Sequence, residues 1–228
     1  MKKFELTTDT IKENGTTLYR IKALIDFGDV KAGSLGGYVE KEENLSQYGN
    51  AWVYDNARVY DNAWVSENAW VSGNARVCND AWVSDDARVY GYACVYGNAR
   101  VCDNACVYDD ARVYNNALVY NNARVYGDAC VYSNARVYGD ACVYGDACVS
   151  NYALVNDNTD YIFLRGFGSQ NRDTTMFRGE NGNICVSCGC FNGTLQEFES
   201  KVKETHGNSK FAREYLALVE AAKIHFEV

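Results

Sequence analysis

Proline is absent from all 228 residues, and histidine occurs only twice, at His206 and His225. Without proline, chain reversals must rest on glycine, asparagine and aspartate, which tolerate left-handed backbone. Two histidines cannot build a three-imidazole zinc site. No run of about 20 apolar residues exists, so no membrane span is expected. Residues 1–9 lack an apolar core and predict no leader peptide. The expectation is a cytoplasmic protein with its ten cysteines reduced, not a disulfide framework. Lysine is missing between Asn50 and Asn156, where seven arginines face twelve acids for a net charge of −5. Residues 1–49 carry −1 and residues 157–228 carry −2. So acidic a body makes nucleic acid an improbable partner, because phosphate contact needs positive charge. Hydrophobic content of 47% with 14% aromatics excludes a disordered chain.

What the chain does contain is one six-residue unit, repeated without insertion or deletion. The unit is Ala-x-Val, then Tyr, Ser or Cys, then two residues that are Gly, Asp or Asn almost everywhere. Alanine recurs at every sixth position from Ala51 to Ala153, and valine two later from Val53 to Val155, giving 18 repeats. A strict hexad is the sign of a parallel β-helix. Alanine and valine must face inward, since neither varies and both lie on one side of the strand. Three hexads per coil predict six coils, about 29 Å of stacked strands at about 4.8 Å each. The predicted interior holds only alanine and valine, which leaves no room for a ligand. Tyr92 and Tyr152 replace a corner residue and predict irregular corners.

The outward positions form columns, because coils stack every 18 residues. One column runs Trp52, Trp70, Arg88, Cys106, Arg124, Cys142. A second runs Arg58, Arg76, Cys94, Arg112, Cys130, Cys148. The third runs Trp64, Trp82, Arg100, Leu118, Arg136, Leu154. Arginine is interleaved with cysteine or leucine, which avoids like-charge neighbours; Arg58 over Arg76 is the exception. The position after valine predicts tyrosine ladders, above all Tyr90, Tyr108, Tyr126 and Tyr144. Arginine and tyrosine flanking the same valine predict cation–π pairs. The candidate interface residues are therefore Trp52, Trp64, Trp70, Trp82, Tyr90, Tyr108, Tyr126 and Tyr144. The tryptophans gather in the first two coils, which favours that end.

The ends read differently, dividing the chain into residues 1–49, 50–156 and 157–228. In the first, Asn14-Gly15 predicts a hairpin turn between strands at residues 8–12 and 17–24. Val39 and Leu45 fall in register with the alanine column and predict degenerate rungs. The segment reads as a cap over the open end of the helix. Asp26-Phe27-Gly28 matches a kinase magnesium triplet, but no Gly-rich or catalytic loop accompanies it. In the last segment, residues 161–164, 174–178 and 184–188 read as strands. Thr194-Leu195-Gln196-Glu197 is a capping box that opens a helix with Leu195, Phe198 and Val202 on one face. A second helix follows from Ser209, with Phe211, Tyr215, Leu218, Val219, Ala222 and Phe226 as its apolar stripe. This small α+β module caps the other end or makes an oligomer contact. Cys185, Cys188, Cys190 and His206 suggest zinc, but a single Cys-x-x-Cys favours core cysteines, and no metal or cofactor is expected. The loop from Arg165 to Arg172 reads as a cap loop.

The Ala-x-Val body resembles the hexapeptide-repeat superfamily of left-handed parallel β-helices. With Gly28-Asp29-Val30-Lys31-Ala32-Gly33 before it and Cys188-Gly189-Cys190-Phe191 after it, the chain resembles uncharacterised hexapeptide-repeat proteins of bacteria and their phages, many named as transferases. The resemblance implies a mainly β fold: a left-handed parallel β-helix with an N-terminal β cap and a C-terminal α+β module. It leaves two functions open, since that fold serves acyltransferases and scaffolds alike. The first is a non-catalytic scaffold that binds a protein partner, in one version a phage-encoded protein binding a host protein. The second is an acyltransferase using CoA at a subunit interface of a homo-oligomer. Such enzymes typically carry a histidine on or beside the coils, often with an interrupting loop, and this body has neither; the general base is missing where it belongs. A γ-type carbonic anhydrase needs three histidines, and an ice-binding helix needs outward threonine ladders absent here. The expectation is no catalytic residue.

Overall fold

The computed structural model describes residues 2–228. Eighteen two- to four-residue strands, from Trp52–Val53 (β4) to Leu154–Val155 (β21), stack in parallel as three walls of a β-solenoid. Each wall receives every third strand, so six coils are stacked. Every alanine and valine of the repeats lies fully or almost fully buried inside. Two physical requirements select the hexad. The β-branched valine suits the strand, and the small alanine lets three walls meet around a narrow core. In seventeen of the eighteen repeats the corner residue four after alanine is left-handed, with φ from 53° at Asp55 to 73° at Gly91. The corners at Tyr92 and Tyr152 are regular, contrary to expectation. Gly91 and Asn151 take the left-handed position there, and Tyr92 N–H donates to Asp109 O at 2.7 Å like its counterparts.

Corner side chains add a second set of bonds between coils. Asn50, Asn68 and Asp86 form one amide ladder, at 2.9 and 3.2 Å. Asp55 and Asp61 accept the backbone N–H of Gly73 and Asn79 one coil on, at 3.0 and 3.1 Å.

Backbone bonds between coils alternate in direction along each strand pair, as in any parallel ladder. The N–H of Trp52 donates to Ala69 O, that of Arg58 to Ala75 O, and that of Trp64 to Ala81 O. The outermost coils therefore carry backbone groups with no neighbouring coil to meet them, among them the carbonyls of Ala51, Ala57 and Ala63 at the start and the N–H groups of Cys142 and Cys148 at the end. The N-terminal segment supplies donors. Lys3 Nζ reaches Ala51 O at 2.9 Å, Tyr38 N–H reaches Ala57 O at 2.9 Å, and Asn44 Nδ2 reaches Ala63 O at 2.9 Å. Burial pushes the Lys3 amine down to about 8. The C-terminal segment supplies acceptors, Asn158 Oδ1 for Cys142 N–H and Thr175 Oγ1 for Cys148 N–H at 2.8 and 2.9 Å, and a donor, with Tyr161 O–H donating to Cys142 O at 2.7 Å.

The N-terminal strands Phe4–Glu13 (β1) and Thr16–Ala23 (β2) form the expected hairpin, with Asn14 and Gly15 both at positive φ. Leu35–Val39 (β3) then pairs antiparallel with β2 and parallel with the solenoid strand Arg58–Val59 (β5). The hairpin thus extends one wall. Gly36 and Gly37 permit this close passage, because a Cβ there would lie 2.5 Å from Val53 O and 2.6 Å from Ala57 O. Val39 and Leu45 stack on Val59 and Val65, not in the alanine column. The offset arises because the corner after Leu45 is two residues longer than the hexad allows. Glu13 resolves the arginine exception: its carboxylate bonds Arg58 and lies 3.0 Å from Arg76 Nε.

After the body, Tyr161–Phe167 (β22), Arg172–Arg178 (β23), Ile184–Cys188 (β24) and Phe191–Thr194 (β25) form an antiparallel meander. The last strand was not expected. Helices Leu195–His206 (α1) and Lys210–Phe226 (α2) pack on it around a core separate from that of the solenoid. The Thr194 capping box forms, with Glu197 N–H donating to Thr194 Oγ1 at 3.2 Å. Leu195, Phe198 and Val202 are buried as expected. On α2, Ala212 is buried, whereas Phe211 and Leu218 are only half-buried. Among the described residues no helix is long and apolar enough to cross a membrane.

Asn44 is fully buried and also donates to Asp61 O at 3.1 Å. Asn44→Ala strips these donors from two carbonyls and is expected to cost about 2–4 kcal/mol. Urea denaturation measures the loss; a cost below about 0.5 kcal/mol, the size of an ordinary surface change, contradicts the capping role.

Candidate functional site

The wall built from β4 and its successors carries the strongest surface feature. Tyr54 stacks on Trp70 at 4.5 Å between ring centroids, and Arg88 lies over Trp70 at 5.9 Å. Beyond the gap at Ser72, Tyr90, Tyr108, Tyr126 and Tyr144 stack at 4.9, 4.9 and 5.5 Å. The first two steps are within 2° of parallel, so each ring covers its neighbour's face. What remains outward is a row of ring edges and hydroxyls, flanked by exposed Arg88 and Arg124. Stacking at this spacing follows directly from the distance between strands.

The eight candidate residues do not form one patch. Trp70 and the four tyrosines share a wall. Trp64 and Trp82 stand on another, where Arg100 lies 5.0 Å over Trp82. Trp52 is corrected: it points outward but is only 1% exposed, against 48% for Trp82. Phe4 and Phe27 close over it edge-on, at 6.2 and 5.3 Å. A hydrophobic cap needs an aromatic anchor on the solenoid, and Trp52 provides it. The cation–π contacts on the body also differ from expectation. They run along columns onto tryptophan, because the tyrosine faces are occupied by other tyrosines.

Sequence reasoning missed a cavity of about 430 Å³ in the C-terminal module. Its walls are largely apolar, from Phe191, Phe198, Val202 and Tyr215, and Arg172, Lys201 and His206 stand at its margin. The volume lies within the range of small-molecule sites. His206 packs against Tyr215 with ring centroids 5.8 Å apart. His225 Nε2 lies 2.9 Å from Thr159 O, where it ties α2 to the solenoid end. The only sequence signal for the cavity was the pairing of apolar faces on α1 and α2.

The C-terminal cysteines are dispersed. Cys188 is buried 3.2 Å from Thr174 Oγ1, Cys185 packs against the solenoid core, and exposed Cys190 receives Arg172 Nη1 at 3.8 Å. Among the described residues the only group of three potential ligand atoms within 4.8 Å of one another is Asp85, Cys102 and Asp103 on the solenoid. Arg165 is engaged by Asp146 and by Asp173, the latter at 3.3 Å, so it fastens the module to the last coil.

Three stretches of the body, residues 51–67, 69–85 and 111–127, match the family model described as YdcK Beta solenoid repeat. The chain is also 40% identical over 63 residues to a protein of Escherichia coli (strain K12) named Uncharacterized acetyltransferase YdcK. That likeness covers 24% of this chain and 19% of the relative's length. It supports a β-solenoid of the YdcK-like repeat type.

Burial raises the pKa of Tyr90, Tyr108 and Tyr126 above the ordinary phenol value. Unfolded tyrosine ionises near pH 10, so above about pH 10 the unfolded chain holds fewer protons than the native one and stability falls. Below that pH the ladder contributes no pH dependence. Tyr108→Phe and Tyr126→Phe are expected to move the alkaline unfolding midpoint upward relative to the parent. An unchanged midpoint in pH-jump circular dichroism contradicts a desolvated ladder.

Proposed function

We propose that the protein is a non-catalytic scaffold whose aromatic wall docks a protein partner. The observation that carries this reading is the strip of Trp70, Arg88, Tyr90, Tyr108, Arg124, Tyr126 and Tyr144 on one wall of a filled solenoid. Aromatic residues and arginine are the types enriched where interfaces hold most of their binding energy. The rings are already locked by stacking, so docking freezes few rotamers. The stacked faces are closed to nucleobases, which favours recognition through hydroxyl edges and guanidinium groups. We further assign the solenoid to the left-handed hexapeptide form, a reading supported by its uninterrupted six-residue walls.

Acyl transfer to or from CoA is the second reading. The name of the E. coli relative favours it, as does His206 beside a cavity margined by Arg172 and Lys201. Against it, neither histidine lies on the coils, where the resemblance places the general base.

Photo-crosslinking separates the two. With benzoylphenylalanine in place of Tyr108, one discrete protein adduct is expected in extracts of the native host. It should be absent when the probe replaces Tyr120 on another wall, and lost in Arg124→Glu. Loss of a central interface contact of this kind costs about 2 kcal/mol or more. Equal adducts from both walls overturn the docking wall, whereas acetyl-CoA turnover abolished by His206→Ala establishes the second reading.

A further inference from the structure

In the column of Arg58, Arg76, Cys94, Arg112, Cys130 and Cys148, arginine and cysteine alternate from Arg76 until the last step. There Cys130 stands in register on Cys148. In the three outward columns this is the only place where one thiol is stacked directly on another. Both cysteines are free and half-buried, and their thiols donate to Asp128 O at 3.8 Å and Asp146 O at 3.7 Å. The backbone beneath them is fixed by the bond from Cys148 N–H to Thr175 Oγ1. Cys148 also lines a cleft of about 260 Å³ at the seam with the C-terminal sheet, beside Asp146, Arg172, Thr175 and Ser187. A small solute therefore has a path to the pair.

We propose that Cys130 and Cys148 form a two-coordinate site for a soft monovalent d10 cation, with Cu(I) as its representative. Two metal–thiolate bonds of about 2.3 Å placed end to end span about 4.6 Å, close to the spacing of about 4.8 Å between strands. A direct disulfide needs Cβ atoms about 3.5–4.5 Å apart, closer than in-register side chains normally stand. Soft thiolates select Cu(I) over the harder divalent ions. On binding, both S–H bonds break, two Cu–S bonds form, and two protons pass to solvent. The product is a bis(thiolate) monoanion, and no electron is transferred.

The surroundings suit that charge change. Arg112 stands in register with Cys130 on its other side and compensates the anion. Asp128, Asp146 and Asp173 also face the pair and oppose it, but Arg165 engages both Asp146 and Asp173. The isolated thiols on the same surface lack a second sulfur: Cys94 lies between Arg76 and Arg112, and Cys106 between Arg88 and Arg124.

The test is anaerobic titration of the reduced full chain with Cu(I) against a bicinchoninate competitor. One Cu(I) per chain is expected to resist the competitor. Losing an outer partner of a metal ligand already costs about 10–100-fold in affinity. Cys130→Ser and Cys148→Ser are therefore each expected to weaken retention by about a hundredfold or more, and Cys106→Ser to leave it unchanged. X-ray absorption on the parent protein needs no variant and is expected to show two sulfur neighbours. Retention unaltered in Cys130→Ser, loss in Cys106→Ser, or a shell of three sulfurs or of nitrogen and oxygen overturns the proposal.

Discussion

Each coil of this molecule satisfies its backbone on the next coil, and that dependence dictates what the two ends must be. A stack of parallel strands finishes with bare donors and bare acceptors on its outermost coils. A buried, unpaired backbone group costs about as much as several surface interactions together contribute. At the first coil, carbonyls are met by an ammonium, a backbone amide and a carboxamide, from Lys3, Tyr38 and Asn44. At the last coil, N–H groups are met by a carboxamide oxygen and a hydroxyl, from Asn158 and Thr175, and the Cys142 carbonyl by the Tyr161 hydroxyl. Each cap is fitted to the groups that its own end leaves bare.

The same stacking rule governs the surface. In a parallel in-register solenoid, each outward residue meets the residue 18 positions away, whatever the two happen to be. Like charges must then be separated, and aromatic rings must stack. Alternation of arginine with cysteine or leucine answers the first demand over most of the body. Where it fails, at Arg58 and Arg76, a carboxylate from outside the repeats sits between the two guanidiniums. The hairpin is therefore tied to the body by charge as well as by its strands. Tyrosine answers the second demand, and in doing so gives up its faces, which leaves hydroxyl edges as the recognition chemistry of that wall.

How much of this was legible in the sequence follows from how strictly each part repeats. The hexad fixed strand positions, the inward Ala and Val, the corners and the columns, because a period of six leaves one register. Non-repeating contacts were not legible. Trp52 reads like Trp64 and Trp70 within its hexad, and only the fold of Phe4 and Phe27 over it removes it from the surface. Val39 and Leu45 preserve the spacing of six between them, yet the longer corner after Leu45 moves both to the valine column. Phe191-Asn192-Gly193-Thr194 carries turn-like residues but forms a strand, since pairing with Ile184–Cys188 outweighs its weak local preference. The cavity beneath the two helices depends on how their apolar faces meet, and no local pattern encodes that.

A filled interior and capped ends confine function to the walls and the C-terminal module. The walls are rigid and periodic, so a ligand that reads them must accept a repeat near 4.9 Å, or else use a place where the repeat is broken. The module is the opposite: irregular, built around its own core, and supplied with the chain's two histidines and the cavity beside His206. His225 is spent in holding the helix to the solenoid end, which leaves His206 as the histidine beside a space that can admit a small molecule. A long flat wall suits recognition of another macromolecule, whereas a small basic-margined cavity suits a small molecule. The two readings of the protein therefore lie in separate parts of one chain, joined through the seam where Thr175 holds the final coil.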